Sequence, residues 1–95
     1  MGKMELKPVF QVYKNNMEND IQSIDGRLLD DICKDDELLV FKDGVDNSEV
    51  LKVDILEIIS YGKKWKTLSK GMTARIRCLC GKEIKENEII SKKAR

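Results

Sequence analysis

Between Tyr61 and Lys82 stand Lys63, Lys64, Lys66, Lys70, Arg75, Arg77 and Lys82 without one acid, and the only tryptophan, Trp65, lies among the lysines. Ammonium and guanidinium groups neutralise phosphates, and an indole offers a flat face to an exposed base or sugar. The spacing therefore marks Lys63, Lys64, Trp65, Lys66, Lys70, Arg75 and Arg77 as candidate RNA-binding residues. The competing reading makes the same segment a solvated face balanced by acids elsewhere, with Trp65 folded onto one end of the domain.

Other chemistry is less well supplied. Asp30, Asp31, Asp35, Asp36 and Glu37 offer hard oxygen ligands, but their spacing matches no Ca²⁺ loop, and turn-forming or solvated charge explains them better. Three cysteines, Cys33, Cys78 and Cys80, and no histidine cannot make the usual four-ligand zinc set without carboxylates. In Ala74–Cys80 the small and apolar Ala74, Ile76, Cys78 and Cys80 share one parity and Arg75 and Arg77 the other, which is a half-buried strand with its thiols inward. Without histidine the commonest acid or base near neutral pH is missing, and no Ser or Cys has a recognisable activating partner. A carboxylate-based enzyme stands as the catalytic alternative. No G-x-x-x-x-G-K-[ST] loop is present, so no nucleotide is expected, nor any metal or other cofactor.

Ninety-five residues make one domain with a modest core. Hydrophobic residues are 41% and charged residues 37% of the chain, with one proline, a composition that argues against disorder. The longest apolar run is Leu38–Phe41, far short of the roughly 20 residues that span a bilayer. The N-terminus lacks an apolar leader core, so a cytoplasmic location is expected. Charge is uneven: residues 1 to 59 hold seven Lys/Arg against fourteen Asp/Glu, and residues 60 to 95 hold eleven against three, giving −7 and +8. Two readings stay open, mutual neutralisation within one fold and opposite faces for different partners.

The elements that must position these groups read mainly as strands. Val9–Tyr13 is β-branched and aromatic after Pro8, a first strand. Met17, Ile21, Ile24 and Leu28 have helical spacing, with Asn15 or Asn16 as a cap. Asp25-Gly26 opposes that helix, and the alternative is two short strands, Ile21–Asp25 and Arg27–Ile32, joined at the glycine; the local spacing alone favours the helix, and the longer motif order favours strands. Cys33–Asp36 is a polar turn, residues 37 to 42 a strand, and Asp43–Ser48 a loop. Leu51, Val53 and Ile55 alternate, and the apolar phase then shifts to Leu56 and Ile58, which predicts a β-bulge near Ile55 and Leu56. Tyr61–Lys66 reads as a hairpin tip, Lys70-Gly71 as a turn, Met72–Leu79 as a strand ended by Gly81, Glu86-Asn87 as the last turn and Ile89-Ile90 as a closing strand. Short strands at such spacing suggest a small closed barrel.

One resemblance runs through the order of short motifs: Gly26-Arg27-Leu28, Asp36-Glu37 before Leu38-Leu39-Val40-Phe41, Val53-x-x-Leu56, Lys70-Gly71, and Ile84 to Ile90. In that register, from Phe10 to Ile90, the chain resembles domain II of translational GTPases, the β-barrel of elongation factor Tu and its relatives, here standing alone. Asp31 and Asp36 occupy positions where that family usually has glycine, which implies strained left-handed turns, and Asn19-Asp20 replaces a Gly-rich turn. The resemblance implies an all-β fold, a closed antiparallel Greek-key barrel of about six to eight short strands over residues 8–91. Residues 1–7 are then an extension and 92–95 a basic tail. It also implies contact with structured RNA or the ribosome, without transferring a particular site. The expected function is a non-catalytic RNA-binding module with no membrane partner. The alternative is a protein-interaction module docking onto a separate GTPase or enzyme.

Overall fold

The computed structural model describes residues 5–43 and 49–93. Among these residues nine strands run in chain order: β1 Leu6–Glu18, β2 Ile21–Leu28, β3 Ile32–Cys33, β4 Leu38–Phe41, β5 Val50–Ser60, β6 Lys63–Lys64, β7 Thr67–Leu68, β8 Thr73–Cys80 and β9 Ile89–Lys93. The fold is all-β. Every pairing is antiparallel, and β4-β9-β1-β2-β8-β5 closes on itself through β4–β5, giving a six-stranded barrel. β6 extends the sheet beside β5, and β3 and β7 form a separate two-stranded ribbon.

Alternation builds the interior. Phe10, Val12, Ile24, Leu28, Leu38, Val40, Val53, Ile58, Ile76, Cys78 and Ile90 are buried together, as period-2 strands wrapped around one core require. Closure demands bends, and the strands bend at irregularities in pairing: β1 shifts register between Pro8 and Phe10 and again between Val12 and Lys14, and β5 shifts between Ile55 and Glu57. The last is the bulge that the phase change predicts. Pro8 pairs only with Ser91 of β9, because β2 joins β1 from Phe10 onward.

The strand reading of residues 15–32 holds over Leu6–Glu18 and Ile21–Leu28, where Met17 of the helical pattern is exposed while Gln22, Ile24, Gly26 and Leu28 alternate inward. Other expectations are corrected. β2 does not break at Gly26. The bulge lies on the facing strand, where Tyr13 is the extra residue between the pairs Val12↔Gly26 and Lys14↔Asp25. Left-handed backbone occurs at Asn19, Tyr61 and Asn87, not at Asp31 or Asp36. Those aspartates stabilise their turns with side-chain oxygens: Asp36 Oδ2 accepts the Cys33 N–H at 2.8 Å, and Asp31 Oδ1 accepts the Lys70 N–H at 2.7 Å. Of the expected loop at Asp43–Ser48, residues 44–48 lie outside the described residues.

One barrel end is closed by the segment between β8 and β9. Ile84 is fully buried, and its N–H donates to Oε1 of the buried Gln22, whose Nε2 donates to the Lys82 carbonyl. The Asn15 amide nitrogen donates to both Gln22 Oε1 and the Ile84 carbonyl, at 2.8 and 2.7 Å. These bonds fix where the loop sits, although the buried Asn15 Oδ1 accepts no hydrogen bond among the described residues.

Gly26 is required for space rather than for backbone freedom. A Cβ there falls on the Gln11 carbonyl oxygen and lies 2.8 Å from the Phe10 ring. Gly26→Ala is expected to lower the unfolding free energy by about 1–3 kcal/mol in urea titration, the usual effect of overpacking. Gly81→Ala, where a Cβ meets nothing within 4 Å, should change it by less than about 0.5 kcal/mol.

Candidate nucleic-acid interface

The segment from Tyr61 to Lys82 does not form one surface. β8 runs the length of the barrel, so the Lys70-Gly71 turn and Lys82 stand at its opposite ends. Lys82 reaches Glu88 and the Phe41 carbonyl and is largely buried, which makes it part of the loop closure. Arg75 and Arg77 lie on the outer wall, as their parity predicts, while Ala74, Ile76 and Cys78 point inward.

Acids from the first half of the chain take up part of the basic surface. Arg75 donates from Nε to Asp25 Oδ1 at 2.8 Å and from Nη2 to Oδ2 at 3.3 Å, and this hydrogen-bonded carboxylate holds the guanidinium above its ordinary pKa. Glu57 receives Lys64 Nζ at 3.1 Å and Arg77 Nη1 at 3.2 Å. Hydrogen bonds from Lys64 first and Arg77 second hold its carboxyl below the usual glutamate range. Arg77 also lies 3.9 Å from Glu18. Water and salt screen such exposed pairs, so they orient these side chains more than they hold the barrel together.

Lys63, Lys66 and Lys70 differ. Among the described residues no carboxylate pairs with their ammonium groups. Their backbone is nevertheless held: Lys63 pairs with Ser60, the Lys66 carbonyl accepts the Lys34 N–H at 2.7 Å, and the Lys70 N–H binds Asp31. Trp65 is pinned at two points, its backbone N–H to the Ile58 carbonyl and its indole N–H to the Ser60 carbonyl, each at 2.8 Å. It remains 38% exposed, so an indole edge is committed to the barrel while part of the ring meets solvent.

Tyr13, Lys14, Arg27, Tyr61 and Gly62, outside the predicted set, join this wall. Tyr61 and Gly62 form the two-residue turn between β5 and β6, with φ of 53° and 72°. Such turns favour Asn-Gly, and a left-handed tyrosine is an outlier. Its ring is 78% exposed, so packing does not explain it. Tyr13 is 47% exposed on its bulge. The two rings line one groove of about 450 Å³, together with Asp25, Gly26, Thr73 and Arg75. In register, Lys14 stands opposite Asp25 and Arg27 opposite Thr73, both exposed and without a carboxylate partner among the described residues. Tyr-Gly at a hairpin tip was the available sequence signal. The placement of Tyr13, Lys14 and Arg27 beside it depends on strand pairing that spacing alone does not give.

The remaining candidates settle into structure. Burial pushes the Cys78 thiol up to about 12, with Cys80 and Asp54 adding to the shift, so this thiol stays protonated at neutral pH. Asp30 pairs with Lys7 at 2.6 Å and also accepts the Asp31 N–H, and both contacts hold its carboxyl low. Asp36 and Glu37 each lie 3.5 Å from a lysine of β9. Among the described residues no group of three or more His, Cys, Asp or Glu is arranged to hold a metal ion. No helix there is long and apolar enough to cross a membrane. No family model, curated protein or solved structure matches the chain.

The turn yields a stability test. Tyr61→Asn restores the residue type this turn favours, and should raise the unfolding free energy by up to about 1 kcal/mol in urea titration. A loss of stability would mean that the tyrosine ring contributes to the fold.

Proposed function

We propose that this barrel is a non-catalytic module that binds RNA through the wall carrying Lys63, Lys64, Trp65, Lys66, Lys70, Arg75 and Arg77, extended by Lys14 and Arg27. The supporting observation is how the charges divide. Acids engage Lys64, Arg75 and Arg77, while Lys63, Lys66, Lys70, Lys14 and Arg27 have no carboxylate partner among the described residues, and Tyr13, Tyr61 and Trp65 are exposed. A phosphodiester chain supplies the missing anions, and its bases supply flat faces for the rings. The closed barrel and the motif order agree with the resemblance to domain II of translational GTPases, a family whose barrels touch RNA. Structured RNA or a ribonucleoprotein in the cytoplasm is accordingly the leading partner.

A second reading has its own observation. At the other barrel end Met17 and Leu79 are 47% and 37% exposed, in a groove of about 450 Å³ that also carries Asp20, Asp54 and Glu83 beside Lys52 and Lys82, with Lys52 3.6 Å from Asp54. An apolar centre with a mixed charged rim suits a polypeptide, such as a separate GTPase or enzyme that this barrel would accompany.

Salt separates the two. Co-sedimentation with total RNA and ribosomal subunits should weaken log-linearly as salt rises. The triple variant Lys63→Glu/Lys66→Glu/Lys70→Glu should lose most of the pelleting and flatten the salt slope by about 2, the loss of roughly three phosphate contacts. Pelleting by neither protein contradicts the RNA reading and favours the Met17–Leu79 end.

A further inference from the structure

Resting on the RNA reading, we infer that the groove between Tyr13 and Tyr61 receives an unpaired nucleobase, which makes the single-stranded stretches of a structured RNA, rather than its duplex, the substrate class of this wall.

The chain has three Tyr and Trp residues, and all three are exposed on the described surface. Two of them line one groove although they come from strands that do not pair with each other, β1 and the tip of β5. Each is delivered by an irregular piece of backbone, a bulge at Tyr13 and a left-handed turn residue at Tyr61. Exposed aromatics on irregular backbone contribute little to the core, and strain of this kind concentrates at binding sites. The groove's volume falls within the range of ligand pockets. Arg75 lines the same groove and is held by both carboxylate oxygens of Asp25, so its planar guanidinium provides a further stacking surface.

Charge identifies the occupant. Lys14 and Arg27 stand in register beside the groove and Lys63 directly follows the Tyr61-Gly62 turn, all without acidic partners among the described residues. A nucleotide places an aromatic base and a phosphate within reach of one such site. In a duplex the faces of each base are covered by its neighbours, and only an unpaired base offers them to tyrosine.

The test is fluorescence anisotropy with a labelled ten-nucleotide single strand and a blunt duplex of equal length. Four proteins are compared: wild type, Tyr13→Leu/Tyr61→Leu, Tyr13→Phe/Tyr61→Phe, and the triple Lys→Glu variant. Wild type should bind the single strand at least about ten-fold tighter than the duplex. The Leu pair should lose about 5- to 100-fold on the single strand with its salt slope unchanged, and the Phe pair should stay within about three-fold of wild type. Both tyrosines are exposed, and matching melting temperatures establish that the variants are folded. Equal affinity for the two probes, or full binding by the Leu pair, overturns the base groove, while loss in the triple variant then leaves the RNA reading standing. Equal loss in the Leu and Phe pairs overturns stacking in favour of a role for the hydroxyls. No binding of either probe by wild type overturns both readings.

Discussion

The barrel and its candidate site both depend on one close approach, the β1 backbone lying against β2 where Gly26 has no side chain. The Phe10 ring and the Gln11 carbonyl occupy the space a Cβ would take. Because β1 can come this near, it bends inward, buries Phe10 and Val12, and admits an extra residue at Tyr13 opposite the glycine. Period-2 alternation then places that extra side chain outside. The same contact therefore fills the core and sets an aromatic ring on the outer wall, at the edge of the groove that Tyr61 reaches from β5.

Charge adds a second constraint. The acidic and basic halves of the chain are interleaved by strand pairing, so that Asp25 faces Arg75 and Glu57 faces Arg77 across adjacent strands. Most of the recorded ion pairs join the two halves: Lys64 and Arg77 to Glu57, Arg75 to Asp25, Lys92 to Asp36 and Lys93 to Glu37. Mutual neutralisation thus accounts for much of the asymmetry in the sequence. The cations it omits flank the aromatic groove and the turns at one barrel end, and that remainder gives the wall its character. Fixed pairs such as Arg75–Asp25 add orientation, while unpaired lysines add the salt-sensitive attraction expected toward phosphate.

Much of the fold was legible. Alternation in Ala74–Cys80, the phase change at Ile55 and Leu56, and turn chemistry at Asn19-Asp20, Lys70-Gly71 and Glu86-Asn87 all report local backbone, which sequence records directly. The stretch from residue 15 to 32 was ambiguous because Met17, Ile21, Ile24 and Leu28 satisfy a helical period by coincidence, and only the burial of Gln22 between paired strands separates the readings. The site was legible in part. A run of cations between Tyr61 and Lys82 marks basic character, but ion pairing and position along β8 decide which of them face a partner. Lys82 serves the barrel closure, whereas Lys14 and Arg27 come from the acidic half. Tyr13 was read as a strand residue, since nothing local shows that β1 bulges there; the bulge follows from Gly26 on the neighbouring strand.

RNA binding at the wall carrying Tyr13, Tyr61 and the nearby cations is tested by a ¹⁵N–¹H NMR titration of the full chain with a short single-stranded RNA. The largest amide shifts are expected at Tyr13, Lys14, Asp25–Arg27, Tyr61–Lys66 and Thr73–Arg75, with the Met17, Leu79 and Glu83 end unmoved. Shifts confined to that opposite end, or no shifts at saturating RNA, would contradict it.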